Sequence, residues 1–585
     1  MKKYILFLLS GMLMTSCIDT EVLPNDVVIG EDFWKTKDDV TSMVAAAYKE
    51  MSQAGVIERC IVWGDFRSDE LEVNEIVFND SKRTDLEEIK VGTMDYENQF
   101  SDWASLYSVI NKCNIVLEKA PQVVSIDPSY TEGTLRTDES QMLALRALCY
   151  FYLVRAFRDV PVTDGAYFNS SQNFEIPQQA PLTVLDKCIE DLQKALQTPL
   201  SPDGYTDWRS VGYINRDAIN AILADVYLWR ASMTGNLDDY DKCVDYCDAV
   251  IESKKARYLS DNQASGPSII GNIDHDGYPL YPGEYAYQYN FIQGNSMESI
   301  FELQLDGENI SNSGLMHCYW NYDDKARTYG LMMAPASRFA TAGDGNVFIK
   351  DKDYRWFESC FNVQSADATQ LTVFKMVSPT GTDNTEASLK PVTAVITPGY
   401  TKIDQNWIVY RLTDVMLMKA EALVQLEASD ANNLQRAFSI VNTVNKRSLA
   451  ISSPTATDTD TLQFSSYNSK SAMEQLVLEE RQRELCFEGK RWFDLMRYTY
   501  RSLRSGDAND QSALLHPDML LSEMGGLSNM AKTSTILGNI LGSDVQMSME
   551  SEPYLYFPVK QSEMKVNFLL KQNPAYEKME SIQKQ

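Results

Sequence analysis

Apolar side chains recur three and four positions apart through much of this chain, and that spacing predicts helices. Val40, Met43, Val44, Ala47, Tyr48 and Met51 form one stripe, so a first helix is expected just after Phe33-Trp34, capped by Thr36 or Asp38. A second is expected from about Tyr96 to Lys119, carrying Trp103, Tyr107, Ile110, Asn111 and Asn114. A third is expected from about Asp138 to Arg158; it stops before Pro161, whose ring forbids continuation. Ala218, Ala221, Ala224 and Leu228 line a helix from Asp217 to Ser232. After Gly235-Asn236, Tyr240, Cys243, Val244, Cys247, Val250 and Ile251 form a facing one. Asp414 to Leu426 and Ala431 to Arg447 make a further pair.

Two helices joined by a short turn match the tetratricopeptide unit of about 34 residues. The pairs here are not contiguous, so periodicity alone does not establish a solenoid. From about 256 to 410 the texture changes. Gly, Asn, Ser and Tyr become frequent, and Ser299 to Leu305 reads as a short strand. Ser453 to Asp460 reads as an exposed loop, and residues 505–551 are rich in Gly, Ser and Met.

The densest stretch runs from Leu478 to Arg497. Met473, Leu476 and Val477 lead into it at helical spacing, and Leu485, Phe487, Trp492, Phe493, Leu495 and Met496 carry its apolar surface. Glu479 and Arg483 make an i,i+4 pair with the acid first, the better orientation. Glu484 and Glu488 are like charges four apart beside much aromatic surface, and are expected to need Arg481 or Arg491 as partners. Gly489 predicts a helix break or a tight approach. Arg481, Glu484, Glu488, Arg491 and Asp494 therefore read as a partly buried ion network locking two helices, since the planar guanidinium pairs bidentately with carboxylates.

At 585 residues, 44% apolar and 23% charged, the composition is that of a globular protein. The formal charge of −29 would be repelled by phosphate backbones, which argues against nucleic-acid binding. Ten scattered cysteines include no CxxC pair, and the three histidines, His275, His317 and His516, form no HExxH. G-x-S-x-G and the P-loop pattern are absent, and Asp344-Gly345-Asn346 reads as a turn rather than a calcium loop. No metal, cofactor or catalytic residue is expected from these patterns.

Lys2 and Lys3 precede a short apolar core, Tyr4 to Leu13. That core is well under the ~20 residues a bilayer-spanning helix needs, and it reads as a secretory signal over residues 1–16. Met14-Thr15-Ser16-Cys17 resembles a bacterial lipobox, which implies lipid on Cys17 and a tether over residues 17–30.

Glu480 to Arg497 reads E-R-x-R-E-L-x-F-E-G-x-R-W-x-D-L-x-R. Near the end come Tyr556-Phe557-Pro558, Glu563, Asn567 and Gln572-Asn573-Pro574-Ala575-Tyr576. Both patterns, in this order, resemble the signatures of the SusD/RagB family, surface lipoproteins of Bacteroidetes nutrient-uptake systems. The resemblance implies a mainly α fold over residues 31–585, with a tetratricopeptide-like helix-pair scaffold and a loop-rich second lobe. The scaffold would occupy mainly 31–255 and 411–500 and the lobe about 256–410, followed by a variable segment over about 501–552 and a closing signature over 553–576. It also implies capture of an oligosaccharide at the outer face of the outer membrane and delivery to a SusC-like TonB-dependent transporter, which the lipoprotein would cap like a lid. Peptide capture, or a surface glycoside hydrolase, are the alternatives. Ligand binding in the family uses aromatic rings on loops over one face of the scaffold. Here Trp320, Tyr322, Tyr289, Trp103, Arg67 and Asp65 are the candidates, while Trp34 and Trp492 are assigned to the core.

Overall fold

The computed structural model describes residues 33–576 apart from 266–273, 307–311, 323–327, 362–368, 378–404, 450–460, 506–551 and positions 76, 78, 79, 92, 170, 205, 206, 276, 320, 344, 350, 351 and 554. The first half is almost entirely helical: α1 (Lys37–Met51), α2 (Ala54–Ile61), α3 (Ser81–Val91), α4 (Ala104–Val123), α5 (Glu132–Phe157), α6 (Pro181–Ala195), α7 (Arg209–Gly212), α8 (Arg216–Thr234) and α9 (Leu237–Ser265). Short strands β1 (Glu72–Val73), β2 (Val160–Pro161) and β3 (Gln178–Gln179) interrupt it.

The middle holds β4 (Asp274–His275), β5 (Tyr278–Pro279), α10 (Gly283–Tyr287), β6 (Ser299–Leu303), α11 (Ser313–Tyr319), β7 (Asn321–Tyr322), β8 (Thr328–Tyr329) and β9 (Met332–Pro335). It continues with α12 (Ala336–Phe339), α13 (Tyr354–Ser359), β10 (Cys360–Phe361), β11 (Gln370–Val373) and β12 (Trp407–Arg411). Helices then return as α14 (Leu412–Gln425), α15 (Asn433–Ser448), α16 (Lys470–Leu485), α17 (Arg491–Ser505) and α18 (Gln561–Val566).

Local chemistry sets the helix ends. Thr36 and Asp39 form a reciprocal capping box at the start of α1. Asn215 accepts from the N–H groups of Asp217 and Ala218 to open α8, and Gly235 closes it in the left-handed region at φ 76°. Two expected starts move. The helix expected from Tyr96 begins at Ala104, because Asn98 caps a separate 3₁₀ turn and the Asp102 carboxylate accepts from the Ala104 N–H. The one expected from Asp138 begins at Glu132, capped by Thr131. α9 runs on past residue 255, where the scaffold was expected to pause.

Packing follows the order α1, α4, α5, α6, α8, α9, α14 and α15, each helix against the next, so the helix pairs form one layer. The long insertion between α9 and β12 does not break that layer: α14 packs directly on α9. The small residues Ala218, Ala221 and Ala224 are fully buried in α8. The second lobe is built on a four-stranded antiparallel sheet in the order β1-β9-β11-β10, with Glu72 opposite Met333, Leu371 opposite Ala334 and Cys360 opposite Val373. β6 and β12 pair antiparallel through two register shifts, and every residue of both strands is buried. Nine cysteines are buried and unbridged among the described residues; Cys17 lies outside them. No helix among the described residues is long and apolar enough to cross a membrane.

The ion network exists, with different partners. Glu484 accepts from Arg411 at 2.6 Å, from Arg355 at 2.9 Å and from Arg447. Glu488 accepts from both Arg411 Nε (2.8 Å) and Arg411 Nη2 (2.7 Å), and Lys375 lies 2.7 Å from it. The partners expected for these two acids have other tasks. Arg481 bonds Asp494 at 2.9 Å and Asp414 at 3.0 Å, and Arg491 bonds Asp69 at 3.0 Å. Burial alone would raise the Glu484 pKa, but Arg447, Arg411 and Arg355 outweigh it and hold the carboxyl well below its usual range.

The break at Gly489 also has a visible cause. Its φ is 73°, and an added Cβ would stand 2.9 Å from the Cys60 carbonyl oxygen and 3.1 Å from the Trp407 ring. A Cβ on Gly64 would in turn run into the Gly489 backbone. Two chain segments cross here at backbone contact, which only glycine permits on both sides. Removing one member of a buried ion network leaves charge uncompensated, at about 3–5 kcal/mol. Arg411→Met is therefore expected to lower the unfolding free energy measured in urea by an amount of that order, whereas Arg136→Met, at an exposed ion pair, should change it by under about 1 kcal/mol; equal effects would contradict the network's role.

Candidate ligand-binding site

Trp103 is the residue before α4, and Tyr107 and Asn111 follow it at successive four-residue steps, so all three share one face. That face looks into an open cavity of about 330 Å³, walled otherwise by the 161–176 stretch and by α18 with the residues after it. The Tyr107 hydroxyl donates to the Pro161 carbonyl at 2.7 Å. Asn111 donates to the Tyr167 carbonyl (2.9 Å) and accepts from its N–H (2.7 Å), which holds Tyr167 at the rim. Tyr167 and Phe174 stack with centroids 4.8 Å apart and planes 19° apart. Phe174 is 40% exposed, a large apolar ring turned to solvent.

The opposite wall is carried by the carboxy-terminal signature. Lys560 pairs with Asp102 at 3.1 Å, and the Gln561 N–H donates to the Tyr96 carbonyl at 3.0 Å, so α18 docks beside the start of α4. Asn567 ties the segment to the Ile176 carbonyl at 2.7 Å. Gln572 both donates to and accepts from the Val559 backbone at 2.8 Å. Glu563 faces the cavity; burial raises its pKa, with the neighbouring Trp103 indole opposing. Val566 and Phe568, 64% and 76% exposed, stand on the same segment.

The expected site residues scatter. Trp103 lines the cavity, although it is only 2% exposed. Tyr289 is half-buried elsewhere, stacked on Tyr281 at 4.7 Å. Tyr322 lies in β7 opposite Thr328, and Trp320 lies outside the described residues.

Asp65 and Arg67 do not face solvent. Both belong to the Val62–Phe66 π-helical turn and its cap, which aims them inward. Asp65 is fully buried and accepts from the N–H groups of Gly489 (2.6 Å), Lys490 (2.9 Å) and Arg491 (3.1 Å), capping α17. Burial pushes its carboxyl up to about 7 against those three bonds. The Arg67 guanidinium lies 4.6 Å from the Trp492 ring and 5.0 Å from that of Phe557, and donates to the Leu555 carbonyl. Trp34 and Trp492 are in the core as expected. Tyr167, Phe174, Glu563 and Asn567 were not anticipated as lining residues. The one usable signal was Phe174, a lone aromatic in the polar run 169–175.

Two family models match the chain: the SusD family over residues 362–576, and "starch-binding associating with outer membrane" over residues 24–228. The chain belongs to the SusD/RagB family. Its members are nutrient-binding surface proteins of Sus-type systems rather than enzymes, associated with the outer membrane. Among relatives, SusD-like protein P38 of Formosa agariphila is 26% identical over 84% of this chain and 90% of its own length. SusD-like protein P2 of the same organism is 24% identical over 85% and 91%. A SusD superfamily protein from Bacteroides vulgatus superposes with a TM-score of 0.62 at 19% identity, covering 93% of this chain and 99% of that one. NanU of B. fragilis does so at 0.59 and 17%, covering 95% and 99%. These structures share the fold.

In this SusD/RagB protein a second polar cluster holds the base of the loop-rich lobe. His317, on α11, places Nδ1 2.9 Å from Glu58 and Nε2 2.8 Å from Asp80. Ionised carboxylates only accept, so both ring nitrogens donate and the imidazole is a cation. Lys82 donates to Glu58 at 2.6 Å. The hydrogen bond to Glu58 raises the His317 pKa, burial opposing it, while His317 and Lys82 lower those of Glu58 and Asp80 against burial. The raised histidine stabilises fully below its unfolded value of about 6.5, and that contribution is lost as pH rises through the folded value. The lowered acids stabilise above about 4 and lose their contribution as pH falls. His317→Gln is therefore expected to lower the urea midpoint most at about pH 6, with the difference shrinking towards alkaline pH; a difference independent of pH would refute the charged clamp.

Proposed function

We propose that the protein captures an oligosaccharide outside the cell and passes it to a SusC-like TonB-dependent transporter, held to the outer membrane by lipid on Cys17. The observation that carries this reading is the cavity walled by Trp103, Tyr107, Tyr167 and Phe174. Its volume of about 330 Å³ falls within the range of small-molecule sites, roughly 300–1,000 Å³. Sugars present apolar C–H faces that stack on flat rings, and each ring can bury about 150–250 Å². Asn111, Ser108, Thr163, Asn567 and Glu563 supply polar atoms around those rings. Trp320, Tyr322 and Tyr289 are proposed as further contacts from the loop-rich lobe. Binding and positioning suffice, and no bond is made or broken.

Residues 18–585 are expected to be retarded in affinity electrophoresis by at least one neutral polysaccharide, without release of product. Phe174→Ala should weaken that retention about tenfold, roughly 1.4 kcal/mol, because an exposed ring contributes to ligand contact more than to folding. A general loss of the fold would instead show as a shifted unfolding midpoint. Cys17→Ala should abolish incorporation of labelled fatty acid and release the protein from membranes; labelled lipid retained on that variant would remove Cys17 as the anchor.

A further inference from the structure

Resting on that reading, we infer that the cavity accepts neutral sugar residues and discriminates against acidic ones such as uronates and sulfate esters. Glu563 is the one ionisable carboxyl in the lining, and no lysine, arginine or histidine is among the described lining residues. Two cations beside the cavity are held by acids of their own. Lys560 pairs with Asp102, and Lys112 with Glu50 (3.2 Å) and the Ser108 hydroxyl (3.1 Å). A carboxylate or sulfate entering here would meet a like charge with no cation among the described lining residues to offset it, in a site partly shielded from water, where charges interact more strongly than in bulk. A hydroxyl has the opposite relation to this wall, since it can donate to Glu563. The excess of acid over base across the whole chain adds to the bias.

Glu563 is half-buried in the cavity wall that Trp103 shares. An exposed glutamate on a mobile side chain would be screened within about 10 Å at 0.1 M salt. One in a half-buried site is screened less.

The test uses calorimetry on residues 18–585 with neutral oligosaccharides and with uronate-containing and sulfated ones matched in length. Wild type is expected to bind a neutral ligand at least tenfold more tightly than its acidic counterparts. Glu563→Gln, which removes the charge, should narrow that ratio several-fold by improving acidic binding. Should that variant fail to fold, raising salt from 50 to 500 mM with wild type should narrow the ratio in the same direction. Equal or tighter binding of acidic ligands by wild type, or a ratio unmoved by both the substitution and salt, would overturn the inference while leaving oligosaccharide capture standing. Binding of neither class would overturn both.

Discussion

Glu484 and Glu488 sit one helical turn apart in the sequence and are both buried. An ion of that kind costs several kcal/mol to bury unless it is fully paired. Here the compensation comes from four cations on four different elements: Arg355 on α13, Lys375 after β11, Arg411 at the junction of β12 and α14, and Arg447 on α15. None of these elements can shift far without stranding a charge. The network therefore joins the second lobe to the helical layer, and it accounts for the convergence of 355–375 and 411–447 on the 478–497 segment. Arg481, Arg497 and Arg501 extend the same arrangement through Asp414, Glu421 and Asp494.

The cavity depends on that frame at one remove. Gly489 in the left-handed region lets the chain turn between α16 and α17, and Asp65 caps the new helix. Arg67, two residues on, lies over Trp492 and Phe557 and so holds the approach to the carboxy-terminal signature. The Phe557 N–H donates to the end of α5 at Ala156, and Lys560 and Gln561 then bring α18 against the start of α4. A wall made of residues 103–111 and 563–570 thus closes only after several long-range contacts are in place.

Many of the groups with strongly shifted pKa values are buried parts of the frame. Burial pushes the thiols of Cys60, Cys113 and Cys486 up to about 11, 12 and 12, which removes them as nucleophiles near neutral pH. Buried carboxylates such as Asp69 and Asp414 are lowered by adjacent guanidinium and ammonium groups that outweigh burial. A helical layer bordered by a cavity of rings and amides fits a family of binding proteins.

Helix existence was legible because a stripe at 3.6-residue spacing and a cap are local properties; Thr36 acts within one turn of itself, whereas the break expected at Gly489 owes its geometry to the distant Cys60, Gly64 and Trp407. The two signature patterns likewise identified the family, since they are linear. The partners of Glu484 and Glu488 were not legible, because Arg355, Arg411 and Arg447 lie 37–129 residues away and nothing local distinguishes them from surface arginines. For the same reason Asp65 and Arg67 looked like exposed turn residues until a π-helical turn aimed them inward. The primary structure by itself determined where helices form, that their acids and bases need one another, and which family the chain joins. Only the tertiary structure decided which charges meet and which rings border open space, because burial depends on distant segments arriving at one place.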